Sequence, residues 1–207
     1  METNQAAEHL QVIRTLMERS ALYRRALAPI MTYCGVVGIA AGIIGWQLKI
    51  NSDRSFILFW SVVALLALTG AFMLVRRQAF KDSEPLWSPP TKRVAQALKP
   101  PLYIGCLINL VGGYMLRGIA DTQIQIFFIT MWVWFYGCAI HSAGFFIGQG
   151  IRWFGWIFIV SGSFLLIPAL APFTHIRPHF AMAILFGGLH LAYGIYLYFT
   201  ENRKALP

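Results

Sequence analysis

The sequence predicts an all-α, polytopic membrane protein: a helical bundle of six transmembrane helices, with signs of three repeated helical hairpins. Three observations carry this. The 207 residues are 57% hydrophobic and 12% charged, where a soluble domain carries about 25% charged residues. Apolar stretches of nearly spanning length recur along the chain, separated by short polar segments. The cations gather in alternate connections.

Residues 1–27 come first and read as a cytoplasmic amphipathic helix. Leu10, Ile13, Met17 and Ala21 recur at helical spacing, with Glu8, Glu18 and Arg19 on other faces. Such a helix lies on the anionic inner leaflet, or it docks a cytoplasmic protein partner. Its charges and the lack of a small-residue cleavage site argue against a secretory signal peptide.

The membrane domain covers 28–204, with expected spans at 29–48, 56–75, 101–116, 124–144, 151–171 and 180–199. These runs lack the period-2 alternation of barrel strands, and lipid offers the backbone no hydrogen bonds, so each is helical. The third is the shortest and needs Arg117 to snorkel or the bilayer to thin locally. The connection at 76–100 is the largest loop. Pro85, Pro89 and Pro90 make 83–91 extended, and Thr91 can cap a short basic helix reaching Lys99.

With the N-terminus inside, thirteen Lys and Arg fall in cytoplasmic segments and four (Lys49, Arg54, Arg117 and Arg177) outside. This bias places both termini in the cytoplasm. The net charge of +9 is thereby accounted for as a topology signal. Because the cations sit in gaps between apolar runs, a nucleic-acid partner is not expected.

Glycine spacing suggests the repeat. A shift of fifty residues brings Gly105 onto Gly155, Gly112 onto Gly162, Gly137 onto Gly187 and Gly144 onto Gly194. Gly35 and Gly42 show the same seven-residue step, as do Gly38 and Gly45. Seven residues are two turns, so each pair shares a face on which helices approach closely. Odd-numbered helices are therefore expected to carry glycine seams. Common use of glycine for packing in membrane helices explains the same spacing without duplication.

Ionisable groups inside a membrane mark function, and no Asp, Glu, Lys or Arg lies clearly within a span. That argues against a proton relay or a cation-coupled transporter. The remaining candidate ligand-binding residues are His190 and Tyr193, which share a face with Gly187 and Gly194, together with His141 and Asn109. A structural hydrogen bond to a neighbouring helix is the more common role of such a histidine than a ligand contact. His141 lies roughly 5 Å from the inner end of its helix and His190 roughly 13 Å, a poor match for one haem iron. No cofactor or metal is predicted, although haem stays open as an alternative. Cys34, Cys106 and Cys138 form no ligand motif and read as small apolar packing residues. Phe127, Phe128, Trp132, Trp134, Phe135 and Tyr136 crowd the fourth span, as interfacial belt or pocket lining.

The run Ala6-Ala7-Glu8-His9-Leu10-Gln11-Val12-Ile13-Arg14-Thr15-Leu16-Met17-Glu18-Arg19 resembles the start of a family of small bacterial six-helix inner-membrane proteins. Tyr23-Arg24, Ala28-Pro29, Ser88-Pro89, Pro100-Pro101, Phe135-Tyr136-Gly137, Gly155-Trp156 and Phe186-Gly187 with His190, Tyr193 and Gly194 extend the resemblance. It implies a bacterial inner-membrane location and no known activity. The leading expectation is a non-enzymatic scaffold, accessory subunit or sensor of a membrane assembly. A transporter or channel for a small neutral or hydrophobic solute is the alternative, with Asn109, His141 and His190 lining its cavity. A haem- or quinone-binding redox subunit is the third, and an intramembrane enzyme the last.

Overall fold

The computed structural model describes residues 26–83, 85–115, 121–170 and 177–204; the amphipathic N-terminal segment lies outside them. Among the described residues every regular element is helical. In chain order these are α1, Ala26–Gln47; α2, Asp53–Lys81; α3, Pro89–Met115; α4, Thr122–Ile147; and α5, Gln149–Leu170. The last, α6, runs through Pro178–Met182, a π-helical turn at Ala183–Gly188, and Leu189–Lys204. Five of them (α1, α2, α3, α4 and α6) contain stretches long and apolar enough to cross a membrane. The chain is a membrane protein. With 22 residues, α5 is about 33 Å long.

Helices outrun the apolar stretches where the sequence offers helix formers beyond the membrane. α2 continues to Lys81 past Arg76 and Arg77, and α3 begins at Pro89, so most of 76–100 is helical. Proline is tolerated in a first turn, whose N–H groups lack helical partners anyway. Pro100 and Pro101 lie inside α3, which continues through them. Between α4 and α5 only Gly148 intervenes, with φ 154°. That backbone conformation suits glycine, and it reverses the chain within one residue.

Two glycine seams hold the bundle together. Gly35, Gly38, Gly42 and Gly45 of α1 face Leu191, Gly187, Ala183 and His179 of α6, in antiparallel order. Gly137 and Gly144 of α4 face Ile159 and Arg152 of α5, while Gly155 and Gly162 of α5 face His141 and Trp134 of α4. A Cβ at Gly38 meets the Gly187 backbone at 2.8 Å, and one at Gly155 meets the His141 nitrogen at 2.5 Å. Backbones this close leave no room for a side chain.

The seams correspond position by position. Moving the α4 member forward by fifty residues and the α5 member back by 120 turns one set of contacts into the other. Gly137–Ile159 becomes Gly187–Ile39, Gly144–Arg152 becomes Gly194–Thr32, and His141–Gly155 becomes Leu191–Gly35. Glycines are therefore drawn from both helices of a seam, not from odd-numbered helices alone.

The packing of α3 is different. Gly112 makes room for the Phe128 ring of α4, and the nearest atom to a Cβ at Gly105 is Phe135 Cβ at 3.9 Å. Gly105→Ala is expected to leave stability unchanged or raise it by up to about 1 kcal/mol, since alanine is the better helix former. Thermal unfolding in detergent measures this.

The core is built by Met31 of α1, Phe56 and Trp60 of α2, Ile129 and Val133 of α4, Phe154 and Phe158 of α5, and Met182 and Leu185 of α6. Among the described residues α3 adds no side chain to it. Leu65, Leu68 and Met73 of α2 are exposed, as are Leu110 and Tyr114 of α3. An apolar face of this extent belongs against lipid or another protein.

Candidate functional site

At mid-bundle, α4 and α6 bring Tyr136 and His190 together. The Tyr136 hydroxyl lies 2.5 Å from His190 Nε2. The imidazole is 3% exposed, with Phe154 at 5.2 Å and Phe158 at 5.3 Å, both close to edge-on, and Phe186 stacked at 6.4 Å. A phenol is the stronger donor of the two and an imidazole nitrogen the stronger acceptor, so Tyr136 donates to Nε2. The ring proton then sits on Nδ1, near the Phe186 carbonyl but outside good hydrogen-bond geometry. Tyr193, one turn beyond His190, stacks on Phe154 at 4.5 Å and helps to close this aromatic box.

The other candidates lie elsewhere. Asn109 Oδ1 of α3 accepts from the Trp132 indole of α4. His141 Nδ1 lies 3.2 Å from the Arg152 carbonyl, near the Gly148 turn, with its ring against Phe145 and Trp156. Each residue thus joins a different pair of helices. Asn109, His141 and His190 are bonded to separate partners. Among the described residues no three His, Cys, Asp or Glu side chains come together as a metal site requires. Cys106 and Cys138 are exposed on their helices rather than packed in the core, and Cys34 is half-buried.

Tyr136→Phe removes the donor to His190 and leaves a buried nitrogen without a partner. A loss of about 1–3 kcal/mol is expected, read as a lower unfolding temperature in detergent.

The most connected polar cluster was not anticipated from the sequence. It lies at the end of the bundle where α1 turns into α2, here the Asn51 end. Asp53, in the first turn of α2, is fully buried. Its carboxylate accepts from Gln125 Nε2 at 2.7 Å and from the Asp121 backbone N–H at 3.3 Å. The same Gln125 amide donates to the Asn51 carbonyl at 2.7 Å. Next to it, His179 Nε2 lies 2.9 Å from the Ile50 carbonyl, and the Trp60 indole donates to His179 Nδ1 at 3.3 Å.

Two consecutive carbonyls of the α1–α2 turn are therefore gripped by α6 and by α4. Helix N-termini favour anions, and Asp53 lies at the start of α2 while bonding the residue that caps α4. This supports a buried carboxylate without a cationic side chain. The available sequence signal was positional: Asp53, Gln125 and His179 all lie near the start of an even-numbered helix. Compared with family models, with curated proteins and with solved structures, the chain matches none.

Proposed function

We propose that this chain is a six-span protein of the bacterial inner membrane that acts as a non-enzymatic scaffold, accessory subunit or sensor of a membrane assembly. One observation supports this best: four interior polar side chains each bond outside their own helix. His190 is bonded to Tyr136, Asn109 to Trp132, His179 to Trp60 and Ile50, and Gln125 to Asp53. Groups spent on holding helices together are not free for chemistry. The exposed apolar faces of α2 and α3 offer the surface for lipid or a partner.

In this reading both termini are cytoplasmic and the Asn51 end is periplasmic, as the distribution of Lys and Arg favours. The two superimposable seams support three hairpin repeats.

The test is purification of the tagged full chain from native membranes after mild crosslinking. A protein recovered with it in fixed proportion supports the proposal, and repeated recovery of the chain alone overturns it. Reporter fusions test the topology separately. A second reading, a haem- or quinone-binding redox subunit, draws on the poorly bonded Nδ1 of His190. Its test is a Soret band or extractable quinone in the purified protein, and absence of both ends it.

A further inference from the structure

We propose that His179 is a pH-sensitive latch joining α2 and α6 at the Asn51 end. Its two ring nitrogens touch partners of opposite kind. An indole N–H is only a donor, so Nδ1, which receives the Trp60 N–H at 3.3 Å, must present a lone pair. A backbone carbonyl is only an acceptor, so Nε2, 2.9 Å from Ile50 O, must carry the hydrogen. The contacts thus select the neutral imidazole in a single tautomer.

Protonation places an N–H on Nδ1 where the Trp60 N–H already points. Two donors then face each other, and the bond from α2 to α6 is lost. The ring has little room to turn away. A Cβ at Gly45 of α1 would collide with the imidazole, and Phe56 and Phe59 of α2 lie 5.0 and 5.9 Å from it.

The charged groups nearby do not offset the new charge in place. On α2 the Asp53 carboxylate keeps its charge but is bonded to Gln125 and Asp121 and not to the His179 ring. From α4 comes Gln125, a neutral amide. Arg177, two residues before His179, is a cation lying over the Trp46 ring of α1 at 6.0 Å. Acid therefore breaks the bond between α2 and α6, while His179 Nε2 still donates to the Ile50 carbonyl and Gln125 still holds the turn through Asn51. This deepens the sensor form of the proposed function. The compartment whose protons reach the latch rests on the proposed topology; the latch itself does not.

The test is pulsed electron-electron distance measurement on the full chain in liposomes. Cys34, Cys106 and Cys138 are replaced, and spin labels are placed at the exposed positions Leu58 on α2 and Ile184 on α6. On acidification from about pH 8 to about pH 4, a span wide enough to protonate a histidine that burial holds neutral, the distance is expected to lengthen reversibly. His179→Gln supplies an acceptor and a donor and cannot titrate, so its distance is expected to stay short. Trp60→Phe removes the opposing donor and is expected to abolish the shift even if the glutamine variant fails to fold. An unchanged distance without either substitution, or an equal shift in His179→Gln, overturns the proposal. Failure of the topology in reporter fusions leaves this result intact.

Discussion

Gly155→Leu is expected to prevent α4 and α5 from assembling, so that the purified chain gives no monodisperse species in detergent. A Cβ at this position lies 2.5 Å from the His141 backbone nitrogen and 2.8 Å from the Gly137 carbonyl oxygen. Neither is the end of a flexible side chain, so neither can step aside. The helices must separate along the seam, and they lose the close contact that replaces hydrophobic driving force inside a membrane. Overpacking a core costs about 1–3 kcal/mol when side chains can adjust. Here the backbone must move, so a cost above about 3 kcal/mol is expected against a typical stability of about 5–15 kcal/mol. Gly155→Ala should destabilise in the same direction but less. Gly105→Ala, at the position fifty residues earlier, is the control: equal losses at the two sites would show that glycine content, not seam geometry, governs stability.

Long apolar helices were legible because lipid demands long apolar runs, and five of the stretches read from the sequence fall in helices long and apolar enough to cross a membrane. Their ends were not. Hydropathy reports where a helix leaves the membrane, not where it stops, so the extension of α2 to Lys81 gave no apolar signal. Pro100 and Pro101 read as a boundary. Yet a proline removes only its own N–H bond and crowds one carbonyl, and α3 runs through both. Glycine spacing revealed which faces pack closely, because seven residues return to the same side of a helix. It could not reveal the neighbour, and α1 is sealed by α6, the helix most distant in sequence.

The same limit applies to the polar residues. His190 was read beside Tyr193 on its own helix, whereas its partner Tyr136 lies 54 residues away. Asp53, Gln125 and His179 carry no signal in the sequence beyond their place near the ends of apolar stretches. Their burial depends on the α1–α2 turn folding across the ends of other hairpins, which local pattern does not encode.

Gln125→Leu is therefore expected to destabilise far more than its place at the edge of a span suggests. One amide group makes two bonds, to the Asp53 carboxylate and to the Asn51 carbonyl, each at 2.7 Å. Leucine supplies neither. Asp53 keeps only the longer contacts from the Asp121 N–H, at 3.3 and 3.4 Å, while remaining fully buried. Removing one partner of a buried charged group costs about 3–5 kcal/mol, because the other is left without compensation. Gln125→Glu should be no better, since it sets a second acceptor against the carboxylate. The double change Asp53→Asn with Gln125→Leu separates charge from shape. It leaves the Asn51 carbonyl without the Gln125 amide but removes the uncompensated carboxylate, so it should recover much of the lost unfolding temperature. If the single and double variants melt together, the cost lies in the α1–α2 turn rather than in the carboxylate. The account of Asp53 as a charge held by Gln125 then fails.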